Sequence, residues 1–264
     1  MAKVRDVTDY LESIAPLHLQ ESYDNAGLIV GHPDWEVTGL LCALDTTPAV
    51  IQEAIDKKKN LIVAHHPIVF SGLKRFNGSD YIQQAIILAI KHDIAIYAIH
   101  TNLDNVLSNG VNERLAQQID LQDLSILKPR PDQIGIGSGI KGRLAEAMPI
   151  LEFLKKVKES FGLQVIKHTG FDSDLMVSEV AACGGSGSFL LQTAIESGAQ
   201  VFITADFKYH QYFDANNDIV ILDIGHYESE KFTINLLNKL INNNFRNFAS
   251  HCTEHDTNPV HYYI

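Results

Sequence analysis

The feature that most restricts how this 264-residue chain can fold is that part of it repeats. Segment 41–66, LCALDTTPAVIQEAIDKKKNLIVAHH, lies on segment 181–206, AACGGSGSFLLQTAIESGAQVFITAD, without a gap. Gln52, Ala54 and Ile55 then fall on Gln192, Ala194 and Ile195, and Leu61–Val63 falls on Val201–Ile203. Both copies read strand, short polar loop, helix, strand. Downstream, DIAIYAI at 93–99 resembles DIVILDI at 218–224. Identities are few, so shared architecture alone could produce such a pair, but we read it as an internal duplication of a βαβ unit.

The rest of the chain fits that frame. Apolar and amphipathic patterning predicts helices near 6–15, 48–58, 80–91, 150–160, 188–197 and 227–242. Strands are expected ending at Val30-Gly31, across Leu40–Leu44, Leu61–Ala64 and Ile94–Ile99, and near 175–183, 200–204 and 219–224. Between about 120 and 175 lie a glycine-rich piece, IGIGSGIKGRL, and the strand-like LQVIKH. Alternation of this kind predicts an α/β fold with mixed or parallel sheets covered by helices. We expect two domains, 1–125 and 126–264, one for each copy.

Composition narrows function. Lys and Arg total 21 against 32 Asp and Glu, a formal charge of −11. That balance argues against a broad duplex-binding surface, which needs clustered cations. It leaves room for a small phosphate-bearing substrate, because bound metal ions reverse the local field. Cys42, Cys183 and Cys252 are odd in number and form no CxxC pair, so they are expected to be buried free thiols. The start, MAKVRDVTDYLESIAP, reads as an amphipathic helix ended by Pro16 without a signal-peptide core, and no apolar run is long enough for a bilayer. The expected setting is cytoplasmic.

The unusual residues fall at strand ends, where open α/β sheets bind ligands. An apolar strand runs into His65-His66, and a buried imidazole gains nothing unless its nitrogens are satisfied. Adjacent side chains project differently, so two imidazoles here suit two ions, although hydrogen-bonded loop histidines would look the same. His100 and Asp104 bracket a turn after the next strand. Asp104 there could supply a hard oxygen ligand or, with Asn102, cap a helix. His226 and Glu230 share one face of a helix start; as a metal chelate they are weak alone, since surface His–Glu pairs are common. CGGSGS at 183–188 could cradle a phosphate through Gly184, Gly185 and Gly187 or form a plain tight turn. Asp206, Lys208 and His210 are polar groups at a strand end, or a helix cap followed by a solvated face. The chain has no HExxH or HxH, which removes zincin-type peptidases.

Taken together and in order, YDNAGLIVG, AHHP, HTNLDN, GGSGS, TADFKYH and GHYESE resemble the GTP cyclohydrolase I type 2 homologues, the NIF-three-like proteins, across roughly residues 5 to 260. The resemblance implies two interlocked α/β domains, a toroidal homohexamer, and a dinuclear centre of two divalent ions (Zn, Fe, Mn or Ni) held by His65, His66, Asp104, His226 and Glu230, with Glu230 bridging. This chain has Ala205 where the family usually has Gly, and it lacks the middle domain that longer members insert.

The function expected on these grounds is a metal-dependent hydrolase in which a metal-bridged hydroxide attacks a nucleotide-like substrate, in its most specific form C8 of GTP. His100 is the candidate for proton transfer, and the GGSGS run is the candidate for triphosphate contact. Two alternatives stand beside it: hydrolysis of another phosphate or amide bond, and a metal-carrying or scaffold protein without catalysis.

Overall fold

Three short apolar runs, LLCA, LIVA and AIYA, build the first sheet. In the computed structural model, which describes residues 1–263, they form β2 (Leu40–Ala43), β3 (Leu61–Ala64) and β4 (Ala95–Ala98). All are buried at every position, as expected for parallel strands covered on both faces. The helices between them, α2 (Pro48–Asp56) and α3 (Tyr81–Lys91), start at capped ends. Thr47 accepts from the Val50 amide, and Asp80 accepts from the Gln83 amide at 2.8 Å. Before them come α1 (Val4–Ile14) and β1 (Gly27–Val30), which pairs antiparallel with β4.

The chain forms two compact units, Met1–Leu103 with Thr233–His261, and Asp104–Phe232 with the last residues from Tyr262. In the first, the C-terminal helix α9 (Thr233–Asn244) and strand β11 (Ser250–Cys252) return to the sheet, β11 adding in parallel beside β2. The strand order is β1-β4-β3-β2-β11. The division therefore falls at 103/104 and 232/233, where the sequence suggested a single cut at 125/126. A three-residue strand carries too little pattern to announce that return.

The second unit opens with α5 (Val111–Gln118), after a single turn, α4 (Thr101–Asp104). Its sheet holds β5 (Gln122–Pro129), β6 (Gly137–Pro149), β7 (Lys167–His168), β8 (Met176–Ser186), β9 (Val201–Ala205) and β10 (Val220–Asp223) in the order β5-β6-β8-β9-β10-β7. Strands β8, β9 and β10 are parallel, and the others pair antiparallel. Helix α6 (Ile150–Phe161) buries Phe153, Val157 and Phe161 against Val180, Ile203 and Leu222. It ends where Gly162 takes the left-handed conformation. Helices α7 (Leu191–Glu196) and α8 (His226–Glu230) complete the unit. The single helix expected over 227–242 is two, α8 and α9, separated at Lys231-Phe232.

The repeat read from the sequence reappears as register. Leu40 pairs with Leu61, and Val180 with Val201. Leu61 pairs with Ala95, and Val201 with Val220. The correspondence extends to the antiparallel neighbours, since Gly27 faces Ala98 and Lys167 faces Asp223, Ala98 and Asp223 lying in the separately matched runs 93–99 and 218–224. Two mixed sheets with helices over them are thus built on one four-strand plan. Cys42 and Cys183 are buried, Cys252 is partly so, and all three are free. Among the described residues no helix is long and apolar enough to cross a membrane.

Candidate metal centre

In the first unit the donors sit at the carboxyl ends of β3 and β4. His65 is fully buried and His66 and His100 are partly so. Their rings lie 4.9 Å (65 to 66), 5.3 Å (65 to 100) and 5.4 Å (66 to 100) apart by centroid. One nitrogen from each falls within 4.8 Å of the others. Each ring is gripped at Nδ1: His65 by the Ile99 carbonyl at 2.8 Å, His66 by Asp45 at 2.7 Å, and His100 by Asp24 at 2.7 Å. Oxygens of these kinds only accept, so Nδ1 carries the proton and the Nε2 edge carries the lone pair. Burial works against the charge on Asp45, but the His66 bond and the Thr257 hydroxyl outweigh it and hold its pKa below the usual range.

In the second unit the donors are Asp104, His226 and Glu230. Gly225, at φ 91°, opens α8, whose first and last residues are His226 and Glu230. His226 Nε2 lies 3.1 Å from Glu230, and its Nδ1 donates to Asp206 at 2.7 Å. Burial disfavours the charged ring, but the bonds to Asp206 and Glu230 dominate and push its pKa up to about 11. Asp206 is held low first by its hydrogen bond to His226 and sits at φ 60°, a conformation Asp tolerates better than most residues. Asp104 and Glu230 bring carboxylate oxygens within 4.8 Å of each other, and Glu230 is buried. Burial raises the Cys183 thiol far above its ordinary pKa, and both carboxylates add to that shift.

Imidazoles oriented from behind, beside carboxylates that repel one another unless a cation intervenes, fit a nitrogen- and oxygen-ligated divalent ion. Residues 2–259 match the family described as Duf34/NIF3 (NGG1p interacting factor 3).

The chain belongs to the Duf34/NIF3 family. It is 34% identical over 241 residues, 90% of its length, to a Clostridium acetobutylicum protein named GTP cyclohydrolase 1 type 2 homolog, of which the match spans 88%. A Streptococcus pneumoniae protein of the same name is 32% identical over 228 residues, 84% of each chain. The crystal structure of a Staphylococcus aureus protein matches with TM-score 0.90 at 28% identity over 99% of both chains. That of a Bacillus cereus protein related to NIF3 also gives 0.90, at 25% identity and 99% of both.

In this Duf34/NIF3 chain the GGSGS run ends β8 and packs against the α8 carboxylate. The Gly184 amide donates to Asn112 at 2.9 Å and the Gly185 amide to the Ser229 hydroxyl at 2.9 Å. A Cβ on Gly185, at φ 60°, would strike Glu230 Oε1, and one on Gly184 would lie 3.3 Å from Glu230 Cγ. These amides are engaged within the unit, and the absent side chains make room for Glu230. Gly187 lies against Thr204 and Cys183, so the expected phosphate contact gains no donor from Gly184 or Gly185. Of the other polar groups at that tip, Lys208 and His210 are exposed, and His210 rests among Tyr209 and Phe213.

Sequence reasoning missed the carboxylates behind the rings. Asp24 and Asp45 were not singled out, although Asp45 follows β2 as His66 follows β3. Asp223, at the end of β10, is almost fully buried; it accepts from Lys167 Nζ at 2.7 Å, the Tyr212 hydroxyl at 3.0 Å and the Phe207 amide at 3.2 Å. It anchors the segment carrying Asp206.

Proposed function

We propose that this chain is a dinuclear metal-dependent hydrolase acting on a nucleotide-like substrate, with opening of GTP at C8 as its specific form. The observation that supports it best is the uniform treatment of the imidazoles: His65, His66 and His226 are each held at Nδ1 by an oxygen at 2.7–2.8 Å. A single such contact is ordinary, as at exposed His168 with the Thr169 carbonyl, but three imidazoles at strand ends and a helix start all held this way match metal-ligating histidines, which almost always have an oxygen behind the free nitrogen.

In this reading His65, His66, Asp104, His226 and Glu230 hold two divalent ions, with Glu230 as the shared carboxylate. When bound, such a pair acidifies water toward neutrality and polarises the substrate. The chain's own residues do the positioning. Asp45 and Asp206 fix the tautomers of His66 and His226, and the Ile99 carbonyl fixes His65. Gly184 and Gly185 leave the space that Glu230 occupies. The names borne by the curated relatives support the nucleotide class of substrate.

The test is purified protein loaded with Mn²⁺, Zn²⁺ or Fe²⁺ and given GTP, followed by formate release and fluorescence of the pterin product. Turnover that disappears in Glu230→Ala is expected. No product above that control would end the GTP reading. Phosphoester hydrolysis lost in His66→Ala would move the substrate elsewhere, and silence in both with metal still bound would leave a metal-carrying role.

A further inference from the structure

The carboxylates behind two of the imidazoles are held in different ways. Asp24, behind His100, is locked three times over: the Asn25 amide at 2.7 Å, the Thr101 amide at 3.0 Å and the Thr101 hydroxyl all donate to it, and its side chain is 0% exposed. Asp45, behind His66, is more open, its side chain 34% exposed. One oxygen accepts from His66 Nδ1 at 2.7 Å. The other accepts from the Thr257 hydroxyl at 2.6 Å, a donor that arrives from 212 residues further along the chain. Thr257 stands in a segment, 253–261, that contains no helix or strand. The segment leaves β11 where the Thr253 amide donates to the Cys42 carbonyl at 2.8 Å. One anchor is on α2, where Glu53 accepts from the Thr253 hydroxyl and from the Glu254 amide at 3.1 Å, and Lys57 Nζ meets the Glu254 carboxylate at 2.7 Å. Another is Thr257 on Asp45. The turns between and beyond them are closed locally. The His255 amide donates to Thr253 Oγ1 at 3.2 Å, the Asn258 amide to the Asp256 carboxylate at 2.9 Å, and the Val260 amide to the Asn258 side chain at 3.0 Å. Glu254, His255, Asp256, Pro259 and Val260 are exposed.

A segment without ladder bonds and with few buried side chains opens more readily than the strands beside it. When it opens, Asp45 loses the bond on its second oxygen, and a partly exposed carboxylate is then free to turn toward water. The His66 ring would lose with it the partner that fixes its tautomer and direction. Docked, Thr257 prevents that turn. We infer that segment 253–261 is a strap that regulates the site: its docking through Thr257 fixes Asp45, Asp45 fixes His66, and an ion on His66 seats the strap in return. The return effect is a matter of linkage, since whatever factor docking adds to ion affinity, the ion adds to docking. Its physical source is shared ordering, because a ring held by an ion has already placed Asp45 for Thr257. The inference rests on His66 being a metal ligand, as in the reading proposed above, and adds to it a positioning residue, Thr257, on a part of the chain that carries no ligand.

The test is Zn²⁺ titration of the full-length protein against a chromophoric chelator, beside hydrogen exchange of the peptide covering 253–261. Thr257→Val, near in shape but without the hydroxyl, should lower Zn²⁺ affinity by about 5- to 10-fold. Thr257→Ser, which keeps the donor, should restore it to within about twofold. Thr253→Val frees the anchor on α2 without touching Asp45 and should lower affinity by about twofold. In the unaltered chain, Zn²⁺ loading should slow exchange of the segment by a factor comparable to the affinity lost in Thr257→Val, and the slowing should vanish in that variant. A merely structural hydroxyl would change the melting temperature and leave exchange blind to the ion. Affinity unchanged in Thr257→Val, a serine no better than valine, or exchange indifferent to Zn²⁺ would overturn the strap and leave the metal pair standing. An unaltered chain that binds no Zn²⁺ would end both. Coupled affinity and exchange in a protein inert toward GTP would uphold the strap while the hydrolase reading fails.

Discussion

The two copies of the repeated unit share their strands and differ at their tips. In the alignment that reproduces both ladders, Asp45 falls on Gly185 and His66 on Asp206. Copy one therefore carries a donor imidazole with its orienting carboxylate on the neighbouring strand end. Copy two has the orienting carboxylate where copy one has the imidazole, and a glycine where copy one has the carboxylate. It imports its donors, His226 and Glu230, on a separate helix that packs into the space the glycine leaves. The scaffold is preserved by buried strands that need only stay apolar. Chemistry is rewritten at single positions beyond them, where a side chain faces donors rather than core.

The contrast can be broken most severely at Glu230. Glu230→Ala should abolish turnover and strip the second unit's share of metal, while the first unit keeps its imidazoles; elemental analysis beside an activity assay reads both. Gly185→Ala should come next. A methyl group would meet Glu230 from a left-handed backbone, so we expect a loss of about 2–3 kcal/mol of stability in thermal unfolding, together with weakened metal binding. The aligned change in copy one, Asp45→Asn, should barely move the melting temperature but lower metal affinity by about 10- to 100-fold, as should Asp206→Asn. Equal effects of Gly185→Ala and Asp45→Asn on stability would erase the distinction drawn here.

The smallest expected effect concerns the tail that only the first sheet has. The nearly buried Glu53 on α2 accepts from Lys57 Nζ at 2.6 Å, the Thr253 hydroxyl and the Glu254 amide at 3.1 Å. Its burial raises the pKa, but those bonds outweigh it and the net shift is downward. A carboxylate lowered on folding contributes stability above its unfolded value, near 4.3, which is lost as pH falls through the lower folded value. The copy-two counterpart is Thr193, so acid should loosen the first unit by this route and not the second. Trp35, the single tryptophan, lies in the first unit. Its fluorescence should show a flatter acid transition in Glu53→Gln, the midpoint moving by less than about half a pH unit.

How much of this was legible follows from what carries a pattern. Strands β2, β3 and β4 are unbroken apolar runs and β9 and β10 nearly so, and the candidate metal donors stand out because histidine and carboxylate after such a run are out of place. The β5–β6 hairpin was left unassigned because β6 contains glycines that weaken any strand signal. Strand β11 was missed because three residues, SHC, have no period to read. Asp24 and Asp45 were invisible as orienting residues for a different reason. Which ring a carboxylate grips depends on contacts across 76 and 21 residues of chain, which no local spacing encodes.

The account rests on the proposal that five donors hold two ions, and anomalous diffraction at the zinc edge from crystals of the Zn²⁺-loaded protein tests it most directly. Two peaks are expected, with Glu230 touching both and the five donors His65, His66, Asp104, His226 and Glu230 all engaged. A single peak, or peaks seated on other side chains while these imidazoles remain merely hydrogen-bonded, would contradict it.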